Sequence, residues 1–403
     1  MDLVVVGIVV VYLLGMLAVG WWSARTISDN DDFMVAGRRL GPLMLAATLA
    51  ATEVGGGSSL GVSEKAYGSW GLSAAWYVLA MAITFVVLAW VAPHLRSTMV
   101  RTVPEGLRLR YGRANGLLGV LILILPMVGL TAIQLMASAT VLSVMTGMNY
   151  SAAVVVVTVV VTVYSVMGGL WSVTLTDAVQ WFFIVVGSVL VIPYALELGG
   201  GWDQVTQDLP SEKLSPTEGM GWKTIVSLTV MYIASFSVGQ ESMQRYFGAR
   251  DERAARLGSI YAALFYGLYA FVPALIDVIA FGLVQHGHLD ATMIEANGAR
   301  YVLPTMAAAV LPSAVVGLLF AGLISATMSS ADSNLLAAGS IFANDIYRTE
   351  MRPEATDAQV LRVTRWTMVV VALFSLGVAL LDLDDMVNVL MFSFSLRAGG
   401  VFV

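Results

Sequence analysis

Glu53 lies in the apolar run AATLAATEVGGGSSLGV at 46–62, two residues before Gly55, Gly56 and Gly57 begin. A glycine costs about 1 kcal/mol relative to alanine in a helix interior. Three in a row therefore predict a broken helix. An unwound turn frees backbone N–H and C=O groups that lipid cannot satisfy, so at membrane depth such a break is expected to meet a bound ion or solute. A carboxylate there is either paired with a cation or protonated. It can help hold sodium, pair with a substrate amine, or carry a coupling proton. A second set stands at Ala326, Ser329 and Ser330, spaced i, i+3 and i+4 and hence on one helical face. Two hydroxyls and a carbonyl are hard donors, too weakly charged for calcium or magnesium. They suit sodium if the carbonyls of Ala51 and Val54, released by the break, complete the shell. The alternative is that the hydroxyls bond back to carbonyls one turn earlier and help helices pack. Asp177, the sole charge between Arg113 and Glu197, is either a buried functional carboxylate or a cap beside Thr174 and Thr176.

These residues need a membrane to position them. Of 403 residues, 58% are hydrophobic and 12% charged, with mean hydropathy +0.82, far outside the soluble range. The chain reads as an all-α polytopic membrane protein. Spans are expected near 3–22, 41–64, 70–93, 115–146, 151–168, 173–198, 223–242, 258–284, 304–331 and 363–381, with an eleventh from 386. The sequence ends at Val403 inside an apolar segment, so a C-terminal truncation is expected. Leu3 to Trp22 reads as a retained first helix, being too long for a signal-peptide core.

Basic residues assign an orientation. With the N-terminus outside, sixteen Lys and Arg, Arg245 among them, fall in inner loops and four in outer loops, with Arg397 left in the last span. Plasma membrane, in a prokaryote the inner membrane, is the expected location. The reading divides the chain into a leading helix and inner loop at 1–40, a first five-helix repeat at 41–198, an outer loop at 199–222 and a second repeat at 223–403. The second repeat opens on another weakened helix, carrying Ser235, Ser237, Gly239 and Gln240. Two such units of opposite orientation are the pattern of an inverted-repeat carrier.

Other classes fit poorly. No Cys occurs and the three His lack zinc-ligand spacing. The glycine run lacks the Lys-Ser/Thr of a phosphate loop, and no nucleophile–base pair is evident, so no enzyme and no nucleic-acid partner is expected.

The stretches AATEVGGGSSLGV at 50–62, MGGLWSVTLTDAVQWFFIVVG at 167–187, QESMQRYFGARDERAARLGS at 240–259 and SATMSSADSNLLAAGSIFANDIY at 325–347 resemble the sodium:solute symporter family, nearest to its choline and proline branches. The resemblance implies the leucine-transporter type of 5+5 inverted-repeat fold with an extra N-terminal helix. It implies Na+ held by the carbonyls of Ala51, Val54 and Ala326 and the hydroxyls of Ser329 and Ser330. It also implies a second ion site or exit path at Asp177, Asp332 and Ser333, although Asp332 replaces a hydroxyl and leaves stoichiometry open. Glu53 stands where choline carriers have a Trp, Gly239 replaces another, and no aromatic stands near Leu130. Choline itself is therefore disfavoured. Coupling or substrate contacts are expected from Glu53, Gly55, Gly56, Gly57, Ser58, Trp76, Tyr77, Gln134, Tyr232, Phe236 and Gln240. The absence of Arg or Lys at mid-depth argues against a carboxylate clamp. The solute is expected to be a small amine, amino acid or monocarboxylate. Alternatives are a proton-coupled carrier or the sensor module of a signalling protein.

Overall fold

The computed structural model describes residues 2–25, 29–382 and 385–402. The expected continuation of the chain beyond Val403 lies outside them. The described residues are overwhelmingly helical, with one isolated parallel bridge, Leu40 to Ala249. Helix α1 is Leu3–Ala24, α2 Pro42–Glu53, α3 Val62–Lys65, α4 Ala75–Ser97, α5 Val103–Tyr111, α6 Arg113–Thr146 and α7 Tyr150–Leu198. After the connection at 199–221 come α8 Trp222–Phe236, α9 Gln240–Phe247, α10 Glu252–Tyr269, α11 Phe271–Gln285, α12 Val302–Val310, α13 Ser313–Ile341, α14 Asp357–Ala379 and α15 Met386–Arg397. Among the described residues, six helices are long and apolar enough to cross a membrane, or seven when α8 and α9 are taken as one bent span.

Three breaks shape the bundle. Helix α2 opens with Pro42 at its first turn, where the missing N–H has no helical partner to lose, and ends at Val54, whose ψ of 74° leaves the helix. The chain resumes through a wide π-helical turn over Gly57–Gly61 into α3. Glycine is required here by close approach. A Cβ on Gly55 would stand 2.5 Å from Ser330 Oγ, and one on Gly56 2.5 Å from the Ala137 methyl. Helices α8 and α9 meet at 52° across Ser237–Gly239. Helix α7 bends at Gly169, whose φ of 57° is left-handed and whose missing Cβ leaves room for the Phe33 ring.

Helix α13 is the axle. It packs against α1, α2, α6 and α7, and 83% of its most apolar stretch is buried, against 33% for α14. A helix buried all round must carry small residues, and α13 does, with Gly317, Ala321, Gly322, Ala326 and Ala331 at its contacts. Its start differs from expectation. The anticipated span at 304–331 is two elements, because Pro312 lacks an N–H and holds Leu311 extended, so α12 stops at Val310 and α13 runs from Ser313 to Ile341. Connection 199–221 also holds two short helices, Trp202–Thr206 and Ser211–Leu214. The two broken spans are clasped at one end, where Leu40 N donates to Gly248 O at 3.1 Å and Arg250 N to Leu40 O at 2.9 Å.

Candidate ion and solute site

The break in α2 faces the middle of α13. Ser330 Oγ donates to the carbonyl of Thr52 at 2.5 Å and to that of Ala326 at 3.2 Å. Ala51, Val54 and Ala326 are all fully buried at this crossing, and Ser330 is nearly so. The five residues anticipated as one oxygen-donor set thus fall on the two elements that meet here. Ser329 points the other way round α13, donating to Asp177 Oδ1.

Asp177 is no helix cap. It lies inside α7, fully buried, and accepts from Ser329, from Thr48 of α2 and from Arg245 of α9. Arg245 corrects the expectation that it lies in a loop. It is 1% exposed, its Nη2 is 3.1 Å from Asp177 Oδ2 and 2.6 Å from Ser333 Oγ, its Nε is 2.8 Å from Thr48 Oγ1, and its Nη1 donates to Glu241 O at 2.7 Å. One guanidinium thereby ties both broken spans to α7 and α13. Ser333 Oγ in turn donates to Ser329 O at 2.6 Å and to Asp332 Oδ1 at 3.3 Å, leaving buried Asp332 Oδ2 without a hydrogen bond.

On the other side of the break lies a cavity of about 50 Å³. Of the anticipated contacts, Glu53, Gly55, Gly57, Ser58, Tyr77, Gln134, Tyr232 and Phe236 line it, as does Ser330. Gly56 lies just behind, its N–H donating to Gln134 Oε1 at 2.6 Å. Glu53 is half-buried, Oε1 accepting from Ser242 at 2.7 Å, while its backbone carbonyl, freed by the break, accepts from Ser58 Oγ and Tyr266 OH, each at 2.7 Å. Aromatic rings form one wall, with Tyr232 edge-on to Tyr77, Phe236 and Phe394 at 5.3 to 5.5 Å between centroids.

Two anticipated contacts lie elsewhere. Trp76 Nε1 donates to Pro216 O at 2.9 Å, and its ring sits against Trp222, so it anchors the 199–221 connection. Gln240 clamps the start of α5, accepting from Val103 N at 2.8 Å and donating to Arg101 O at 3.2 Å. Glu241, Asn334 and Tyr266 line the cavity and were not anticipated. Neither was the pair Arg397–Glu241, in which Nη1 lies 2.5 Å from Oε1 with both side chains buried. Arg397 also donates through Nε to Ser235 Oγ at 3.1 Å and lies 5.2 Å from the rings of Phe236 and Phe394. A Cβ at Gly239 would stand 2.8 Å from Glu241 Oε1 and 2.9 Å from Arg397 Nη1, so the pair fills the space a larger side chain would need. Arg245 and Arg397 thus bring two buried guanidiniums to the two breaks. The i, i+4 spacing of Glu241 and Arg245 on an amphipathic turn was the available signal.

The family model of the sodium:solute symporter family matches residues 33–402. The chain belongs to this family. This symporter is 29% identical to the sodium/mannose cotransporter of Bos taurus over 94% of its own length and 69% of the relative's. It is 28% identical to the high-affinity choline transporter 1 of Drosophila melanogaster over 93% of its length and 62% of the relative's. Its fold matches that of a Na+-coupled sialic acid symporter solved in a substrate-bound outward-open state, at TM-score 0.86 and 22% identity, covering 100% of this chain and 87% of that one. The symporter therefore has the leucine-transporter type of fold, is embedded in the membrane through several helices, and is a transporter and not an enzyme.

Proposed function

We propose that this chain imports a small organic solute across the plasma membrane by alternating access, driven by Na+ held between the α2 break and α13. The ion's ligands are the carbonyls of Ala51, Val54 and Ala326 and the hydroxyls of Ser330 and, once it turns from Asp177, of Ser329. What carries the reading is the approach of Ser330 to the broken end of α2, where its hydroxyl reaches Thr52 O at 2.5 Å and Gly55 has no Cβ to hold it off. Neutral oxygen donors at a buried break fit a desolvated monovalent cation.

The reading places the N-terminus outside and takes 41–198 and 223–403 as the two five-helix repeats, each led by its broken span. Glu53 sits where the sodium set and the cavity adjoin, so it couples ion to solute. The test is sodium-dependent uptake and sodium-induced thermal stabilisation in the purified chain. Ser330→Ala is expected to weaken sodium by about tenfold or more, the order of one lost hydrogen bond to a charge. Glu53→Gln is expected to abolish sodium-driven uptake. Wild-type sodium affinity in both variants would sink the assignment.

A further inference from the structure

Six ionisable side chains surround the two breaks. Glu53 and Glu241 line the cavity, with Arg397 behind Glu241, while Asp177, Asp332 and Arg245 lie beside the oxygen-donor set. Four carboxyl groups against two guanidiniums leave two that must be either protonated or met by a further cation. Buried charge in a low-dielectric interior is costly unless it is paired. One Na+ answers one of them.

The cavity shows what answers the other. Glu241 is 3% exposed and spends only Oε1 on Arg397, and Oε2 is buried with no hydrogen-bond partner. Glu53 lines the same space, with its Oε1 accepting from Ser242 and its Oε2 left for a further donor. Two acceptors on one cavity, walled by Tyr77, Tyr232 and Phe236, call for a cation that carries N–H donors and whose alkyl body meets ring faces. Arg397 is held off, its charge committed to Glu241 and its guanidinium 5.2 Å from the rings of both Phe236 and Phe394.

We propose that the solute is a small primary or secondary amine carried as its ammonium ion, its N–H groups donated to the carboxylate of Glu53 and to Oε2 of Glu241. Arg397 is the positioning residue that fixes the Glu241 carboxylate. The assignment rests on the transport reading above. A quaternary ammonium has the charge but no N–H, and leaves Glu241 Oε2 unsatisfied, which is how the site rejects it.

The test is thermal stabilisation of the purified chain, in sodium and in potassium buffer, by four matched probes: pyrrolidine, its quaternary isostere N,N-dimethylpyrrolidinium, proline and cyclopentanecarboxylate. Pyrrolidine in sodium is expected to bind about tenfold or more tighter than the quaternary isostere and than the carboxylate. Glu241→Gln is expected to weaken pyrrolidine by about tenfold or more while the stabilisation by sodium alone persists. Should the lone Arg397 prevent that variant from folding, the double variant Glu241→Gln/Arg397→Met removes both charges and carries the same expectation. Tighter binding of proline or cyclopentanecarboxylate than of pyrrolidine overturns the proposal, because Arg397 Nη2, also without a partner, would then be the ligand-facing group. So does a sodium effect with no amine effect, or a Glu241 variant that binds pyrrolidine normally. No stabilisation by sodium alone overturns instead the reading on which the proposal rests.

Discussion

Removing Arg245 should expose how the two broken spans are held together. Its side chain is 1% exposed, Asp177 is 0% exposed, and the guanidinium also serves Thr48, Ser333 and the carbonyl of Glu241. Arg245→Met leaves Asp177 with two hydroxyl donors, from Ser329 and Thr48, but no counter-charge. Breaking a buried pair by deleting one partner costs about 3–5 kcal/mol, because the survivor stays desolvated and uncompensated. Asp177→Asn should cost a similar amount, for it strands Arg245. The double variant should recover much of the loss, since replacing a whole buried pair by neutral side chains is often close to neutral. A coupling of about 2 kcal/mol or more is therefore expected from the cycle, read by denaturant unfolding in mixed micelles followed through tryptophan fluorescence. Losses that add to within about 0.5 kcal/mol would refute the reasoning, because uncoupled sites behave that way. The pair would then be a contact without energetic consequence.

Gly55→Ala should separate fold from function. The new methyl would stand 2.5 Å from Ser330 Oγ and 2.6 Å from Gln134 Oε1, both ends of movable side chains, so stability should fall by no more than about 1–3 kcal/mol while sodium-dependent uptake is lost. Uptake near wild type would show that Ser330 need not reach the break. Lys213, in the 199–221 connection, donates to the carbonyls of Ala66, Tyr67 and Gly68 beyond α3. Burial lowers its pKa from 10.5 to about 8, against the opposing pull of Asp277. A folded pKa below the unfolded one means that the unfolded chain binds more protons between them. The stability difference between wild type and Lys213→Met should therefore shift in favour of wild type as pH rises from about 8 to about 10.5. A difference that is flat across this window, measured as Tm in detergent, would rule the titration out.

Much of the architecture is a local property and was legible in the chain. Apolar length determines spans because lipid rewards it residue by residue. The breaks at Gly55–Gly57 and Ser237–Gly239 arise from backbone preferences that act within a few residues. The i, i+3, i+4 spacing and the carbonyls freed by the break led to the crossing of α13 with α2, where Ser330 reaches Thr52 O while Ser329 turns to Asp177. Tyr77, Gln134, Tyr232 and Phe236 reached the cavity as anticipated, whereas Trp76 and Gln240, of equally suitable chemistry, went to the 199–221 connection and to α5. Side-chain type says what a residue can contact, not which way its helix turns once packed.

The charges were decided by the tertiary structure. QESMQRYFGARDER reads as a polar loop, because a run of charge is usually solvated. Its Arg245 is instead buried against Asp177, 68 residues earlier in the chain. Arg397 looked like a stray charge in the last span, yet it meets Glu241, 156 residues away, through a gap that Gly239 leaves open. The cost of desolvating a charge is intrinsic to the residue, and composition registers it. Its compensation comes from a partner that only folding brings within about 3 Å, and no window of sequence contains both.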